Sequence, residues 1–165
     1  MKTVMYMATS VNGMISTLND ETPWSEEEFN AFYKFAREAG NMIIGRKTYE
    51  IMSKDGELKK LKDVTVIILT SKHVERQLTA KTPAEALEIV KKLKMKTALV
   101  CGGTKTNSSF LLAKLVDEII LDVEPIIINK GKNLVDGLTK ETKLKLISKK
   151  DLSKNTIQLR YSVVK

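Results

Sequence analysis

Residues 41–52 read Asn-Met-Ile-Ile-Gly-Arg-Lys-Thr-Tyr-Glu-Ile-Met, and this stretch decides the reading of the chain. A short apolar run, Met42-Ile43-Ile44, ends at Gly45. The trio Arg46-Lys47-Thr48 then opens a segment of helical character. A strand feeding a helix N-terminus leaves backbone N–H groups free, and the helix dipole favours an anion there. Gly45 lets backbone approach a ligand closely, Arg46 and Lys47 bring charge, and Thr48 brings a hydroxyl. The stretch therefore has the make-up of a phosphate cradle, with an ordinary strand-to-helix turn as the alternative.

Working outward, the chain alternates strands and helices. Thr3–Met7 reads as a buried strand, and Ala8 to Asp20 as a loop built on Asn12-Gly13 and Asn19-Asp20. Ser25 caps a helix whose apolar positions Phe29, Phe32, Tyr33 and Ala36 follow helical spacing, and Gly40 ends it. Asp55-Gly56 and a lysine-rich connection lead to the β-branched run Val64–Leu69, which ends in Thr70-Ser71-Lys72. Thr82-Pro83-Ala84-Glu85 has the form of a capping box with proline at the first helical position, and predicts a helix burying Ala86, Val90 and Leu93. Thr97–Cys101 reads as a strand ending at Gly102-Gly103, and Ser108–Leu115 as a helix. Ile119 to Ile128 reads as extended, with Pro125 marking an edge, bulge or bend. Leu144 and Leu146 in one arm, and Ile157, Leu159, Tyr161 and Val163 in the other, predict an antiparallel hairpin with one wet face, turning near Ser153 to Asn155.

This alternation predicts an α/β domain spanning residues 1–165, with a mostly parallel central sheet flanked by helices and a C-terminal antiparallel hairpin. A chain of 165 residues, 42% hydrophobic, fits one domain that buries about 70% of its unfolded surface. No run of about 18 apolar residues offers a membrane span, and the N-terminus turns polar too early for a signal peptide. A soluble, cytoplasmic protein is expected. With one cysteine, Cys101, and one histidine, His73, a disulfide framework is excluded and a Cys/His zinc site is disfavoured, which argues against a metal-dependent hydrolase or deaminase. Cys101 reads as a buried strand thiol and His73 as an exposed loop side chain.

The net charge of +8 suits an anionic partner. Four Phe, four Tyr and one Trp are not interleaved with the densest basic group, Lys91, Lys92, Lys94 and Lys96. No nucleic-acid platform is expected, and those lysines read as a solvated face. In parallel sheets ligands sit at the carboxyl ends of the strands. Three such ends carry suitable chemistry: Gly45-Arg46-Lys47-Thr48, Thr70-Ser71-Lys72, and Gly102-Gly103-Thr104-Lys105. Together they point to a dinucleotide. Cations and hydroxyls at Thr70-Ser71-Lys72, rather than an acid, favour the phosphorylated nicotinamide cofactor.

The segments SVNGMIS (10–16), Pro23-Trp24, IIGRKTYE (43–50), VIILTSK (66–72) and VCGGTKTNSSFL (100–111), followed by LVDEIILDVEPIII (115–128), resemble the dihydrofolate reductase fold superfamily. Leu115–Glu118 and the run through Glu124-Pro125 are more similar to the reductase domain of riboflavin-biosynthesis enzymes and its stand-alone relatives. The resemblance covers nearly the whole chain, with the motifs in order. It implies that Gly45, Arg46, Lys47 and Thr48 contact the NADPH phosphates, with Thr70, Ser71 and Lys72 near the adenosine end. It further implies that Gly102, Gly103, Thr104 and Lys105 hold the pyrophosphate side, and that Ala8 and Ile15, the latter in a mobile loop, flank the nicotinamide. Asn12, Trp24 and Phe32 fall on the substrate side. Two departures stand out: Asn12 where relatives often carry aspartate before Gly13, and Asn129 in place of a glycine after Pro125.

The resemblance also implies a carboxylate near Trp24 that assists protonation as hydride arrives. Glu28 matches best, since Phe32 follows it by one turn, with Glu26 and Glu27 as alternatives. Ser25 with Glu28 equally forms a capping box, and acids in a first turn favour a helix without any catalytic role. The expected activity is NADPH-dependent reduction of a ribosylamino-pyrimidine phosphate of the riboflavin pathway. The alternatives are a pteridine reductase acting on 7,8-dihydrofolate, and a non-catalytic nucleotide- or nucleic-acid-binding module on the same fold. A buried carboxylate would favour dihydrofolate; a cation such as Lys105 or Lys132 facing the substrate would favour the ribosyl phosphate. Relatives of this type imply a homodimer through the sheet edge offered by the C-terminal hairpin.

Overall fold

Strand β1 (Lys2–Ser10) sits inside an eight-stranded sheet because its side chains are apolar on both faces. Val4 and Tyr6 point into one buried cluster, and Met5 into another. A computed structural model describes residues 1–165. After β1 come β2 (Met14–Thr17), α1 (Glu26–Ala39), β3 (Asn41–Gly45), α2 (Arg46–Lys54), α3 (Glu57–Lys60), β4 (Thr65–Leu69) and β5 (Leu78–Ala80). Then follow α4 (Pro83–Lys92), β6 (Thr97–Val100), α5 (Thr104–Leu112), β7 (Glu118–Glu124), β8 (Gly131–Asn133), β9 (Leu144–Asp151) and β10 (Ile157–Val163).

The sheet order is β5-β4-β3-β6-β1-β7-β10-β9. The first six strands run parallel, and β10 is antiparallel to both β7 and β9. Alternation splits the strand residues between two cores. Val4, Tyr6, Met42, Ile44 and Leu99 pack against α1 through Tyr33 and Ala36. Met5, Ile43, Ile67 and Val100 pack against Ala86 and Val90 of α4 and Phe110 of α5. The result is the three-layer, mostly parallel arrangement expected from the sequence.

Local signals account for the helix ends. The Ser25 hydroxyl accepts from the Glu28 N–H, and Gly40 closes α1 in the left-handed region at φ 72°. The Thr82 hydroxyl accepts from the Glu85 N–H, with Pro83 in the first turn.

Five expectations are corrected. Residues 8–20 are not one loop, because β1 continues to Ser10 and β2 pairs with β8 after the turn at Asn12-Gly13. Leu93, the cap residue beyond α4, is 44% exposed rather than buried. α5 starts at Thr104, directly after Gly103, and ends at Leu112. The extended run after Glu118 stops at Glu124, since Pro125 cannot donate to the ladder. β9 is the sheet's outermost strand and is exposed throughout, so the hairpin has no dry face on that arm.

Candidate active site

The carboxyl ends of β3 and β6 lie side by side, which brings Gly45 and Gly102-Gly103 together. The Gly45 N–H donates to the Gly102 carbonyl at 2.9 Å, and the Thr48 hydroxyl lies 3.4 Å from where a Cβ on Gly103 would sit. Gly102 adopts φ 99°, and the Gly102–Gly103 peptide is cis. A Cβ on Gly45 would come within 2.8 Å of Thr106 Oγ1. These glycines allow the end of β3, the turn after β6 and two helix starts to crowd one spot.

Helices α2 and α5 begin there, capped by Gly45 and Gly103. Neither has a side-chain cap or an acid in its first turn. By contrast, α1 is capped by Ser25 and opens with Glu26, Glu27 and Glu28, while α4 is capped by Thr82 with Glu85 in its first turn. The two helices aimed at the glycine cleft therefore leave their N–H groups to an external anion. This donor set fits the pyrophosphate of a dinucleotide.

The other residues assigned to the cofactor have varied settings. Arg46 is exposed and pairs with Glu50 one turn on. Lys47 Nζ is 2.9 Å from Asp20 Oδ2, and the other oxygen of Asp20 takes Lys132. Thr70 is half-buried, its hydroxyl accepting from the Lys72 N–H at 3.1 Å, and Ser71 and Lys72 are exposed. Thr104 gives its hydroxyl proton to the Asn133 carbonyl at 2.5 Å, so it ties β8 to α5. Lys105 is exposed. Ala8 and Ile15 are buried on β1 and β2.

A second cluster lies on the α1 face of β1 and β7, where Ala8 pairs with Asp122 and Ser10 with Glu124. Of the three acids that open α1, Glu26 and Glu27 are exposed and Glu28 is buried, at 4% exposure. Burial, reinforced by the nearby charges of Asp122 and Glu124, pushes the Glu28 carboxyl up to about 8. Asp122 and Glu124 are also buried. Asp122 Oδ2 accepts from the Tyr6 hydroxyl at 2.6 Å and Oδ1 from Gln158 Nε2 at 2.9 Å. Burial raises Asp122 to about 6, with those two donors working against it. Burial also drives the Tyr6 phenol far above its ordinary range. These acids are not placed to hold a metal ion.

Phe32 stands edge-on to Tyr6 at 5.7 Å between ring centroids, and Trp24 is half-buried just before the cap of α1. Asn12 is engaged within the fold: its amide oxygen accepts from the Ser10 hydroxyl and the Ile128 N–H, and its amide nitrogen donates to the Ile128 carbonyl. It therefore fixes the β1–β2 turn against the segment after Pro125. Lys132, one of the two cations expected on the substrate side, is paired with Asp20.

Sequence reading missed Tyr6, Asp20, Asp122, Glu124 and Gln158. Asp122 and Glu124 carried a signal: two acids at alternate positions of the apolar run Ile119–Ile128 place charge on one face of a strand that is otherwise built for burial.

Sequence comparison identifies the family. The pattern of the RibD C-terminal domain matches residues 2–157. The chain belongs to the RibD C-terminal domain family. It is 29% identical over 169 residues to the uncharacterized protein YwjB of Bacillus subtilis, covering 97% of each chain. A Shewanella sp. PV-4 protein assigned to riboflavin biosynthesis superposes over 100% of both chains, with a TM-score of 0.81 at 18% identity. A pyrimidine reductase-like protein of Corynebacterium diphtheriae gives 0.77 at 15% identity, covering 99% of this chain and 92% of that one. The deaminase/5-amino-6-(5-phosphoribosylamino)uracil reductase of Thermotoga maritima gives 0.72 at 15% identity, and this chain spans 56% of its length. The reductase-like fold of the riboflavin pathway is thus shared. No helix is long and apolar enough to cross a membrane.

Proposed function

We propose that this protein is an NADPH-dependent reductase that acts on a ribosylamino-pyrimidine phosphate of the riboflavin-pathway type. The observation that carries this reading is the pair of uncapped, acid-free helix starts meeting at Gly45 and Gly103. When bound, the cofactor supplies hydride from C4 of its nicotinamide. The N–H groups of α2 and α5 hold its pyrophosphate, and Thr70, Ser71 and Lys72 take the phosphorylated adenosine end. Ala8 and Ile15 wall the nicotinamide against water. Glu28 carries a proton at neutral pH and delivers it to the substrate heteroatom beside the carbon that is reduced.

One observation favours the second reading, reduction of dihydrofolate. Glu28 is a buried carboxyl one turn after Trp24 in sequence, whereas Lys132 is taken by Asp20. Family membership supports the pyrimidine substrate over it.

The deciding experiment has two stages. Trp24 fluorescence is first titrated with NADPH and NADH, and tighter binding of NADPH is expected. Equal, steeply salt-dependent binding would instead support a non-catalytic module. NADPH oxidation is then followed with the ribosylamino-pyrimidine phosphate and with dihydrofolate, and the substrate that is turned over names the activity.

A further inference from the structure

Glu28, Asp122 and Glu124 are three buried carboxyl groups in one cluster, where the charges of Asp122 and Glu124 raise the proton affinity of Glu28 and that of Glu124 raises Asp122. None of the eight ion pairs of the chain includes any of them. A buried carboxylate without donors or a counter-charge is costly, and neighbouring carboxylates add to that cost, which favours a proton on the least supported of the three.

Hydrogen bonding decides which one. Both Asp122 oxygens accept from fixed donors, Tyr6 and Gln158. The Tyr6 oxygen in turn accepts from Gln158 Nε2 at 3.2 Å, which leaves the phenolic proton directed at Asp122. Glu124 Oε1 accepts from the Ser25 hydroxyl at 2.8 Å and from Thr156 Oγ1 at 3.2 Å, and Oε2 accepts from the Ser25 N–H at 3.2 Å. Donors stabilise the ionised form. The Glu28 carboxyl has no hydrogen-bond donor within the chain; the bond between Glu28 and Ser25 Oγ comes from the Glu28 backbone N–H.

We propose that Asp122 and Glu124 are positioning residues: two fixed anions, held by Tyr6, Gln158, Ser25 and Thr156, that keep the proton on Glu28 and so ready it as the donor of the reduction. The proposal rests on the reductase reading for its purpose but not for its geometry. The titratable groups whose charge bears on Glu28 are Asp122 and Glu124 from β7, with Tyr6 of β1 bonded to Asp122. Lys150 of β9 reaches Asp122 only through its charge. Glu26 and Glu27 on α1 face solvent.

The test is carboxyl-carbon NMR on the intact protein with labelled glutamate, the Glu28 signal being assigned by its loss in Glu28→Gln. Wild-type Glu28 is expected to titrate near neutrality or above. In Asp122→Asn, and independently in Glu124→Gln, its midpoint should fall by about one pH unit or more as a neighbouring charge is removed. A wild-type midpoint in the ordinary carboxylate range overturns the proposal even if neither variant folds. A midpoint unmoved in folded variants overturns it as well. Absence of NADPH oxidation with a shifted Glu28 midpoint would defeat the reductase reading while leaving this arrangement standing.

Discussion

The Gly45 N–H donates to the Gly102 carbonyl across 2.9 Å, so the end of β3 and the turn that follows β6 are one unit. Adding a methyl at Gly45 presses on Thr106 Oγ1 of α5 at 2.8 Å and forces the end of β3 and the start of α5 apart. Gly45→Ala is expected to weaken NADPH binding at least tenfold and to cost about 1–3 kcal/mol of stability. Fluorescence titration and thermal melting measure the two effects; unchanged affinity would remove this cleft from the cofactor site.

Asp20 occupies Lys47 and Lys132 at once. An arriving phosphate must compete with that carboxylate for Lys47. Asp20→Asn should therefore tighten binding of a phosphate-bearing ligand about two- to fivefold at low salt, consistent with the modest worth of exposed pairs. Calorimetric titration at two ionic strengths should show the gain shrinking at the higher one.

Stability should depend on pH through Glu28. Its folded value of about 8 lies above the ordinary 4.5, so the folded state keeps a proton that the unfolded chain loses. Stability is full below the ordinary value and declines as pH rises through the folded one, with Asp122, raised to about 6, adding the same sign at lower pH. Glu28→Gln should be more stable than wild type at pH 9, by on the order of 2 kcal/mol, and should converge with it near pH 4. Denaturant melts across pH read this directly, and a wild type that gains stability towards pH 9 would contradict it.

Ser25 has two tasks: its oxygen caps α1 at Glu28 and its proton goes to Glu124. Thr82 has only the first kind. Thr82→Ala should cost about 1 kcal/mol, whereas Ser25→Ala should cost more, about 2–3 kcal/mol, because buried Glu124 loses a donor. Equal losses in urea melts would mean that the Glu124 contact contributes nothing.

We also propose a homodimer through β9, the outer strand whose Leu144, Leu146 and Ile147 are exposed. Sedimentation equilibrium should give twice the mass of one chain, and Leu146→Glu should return it to one. A wild type that is monomeric at micromolar concentration would exclude the pairing.

Much of this protein is written in local signals. The alternation of Met42-Ile43-Ile44 between two cores, the caps at Ser25 and Thr82, and the stop at Gly40 depend on residues a few positions apart. They were legible for that reason, as were the glycine strand ends at Gly45 and Gly102-Gly103. The short strand β2 was missed because its partner, β8, lies more than a hundred residues away, and Leu93 was misplaced because α4 ends one residue before it.

The resemblance and the spacing to Phe32 favour Glu28 over Glu26 and Glu27, but only the packing of α1 on β1 shows that it alone of the three is buried, since consecutive residues point about 100° apart on a helix. The same holds for the surroundings of Glu28. Sequence determined the layers, the caps of α1 and α4 and the glycine strand ends, all set by short-range periodicity and backbone freedom. Tertiary structure alone brought Tyr6, Asp122, Glu124 and Gln158 to Glu28, because the proton affinity of a carboxyl is set by burial and by charges that are close in space and distant along the chain.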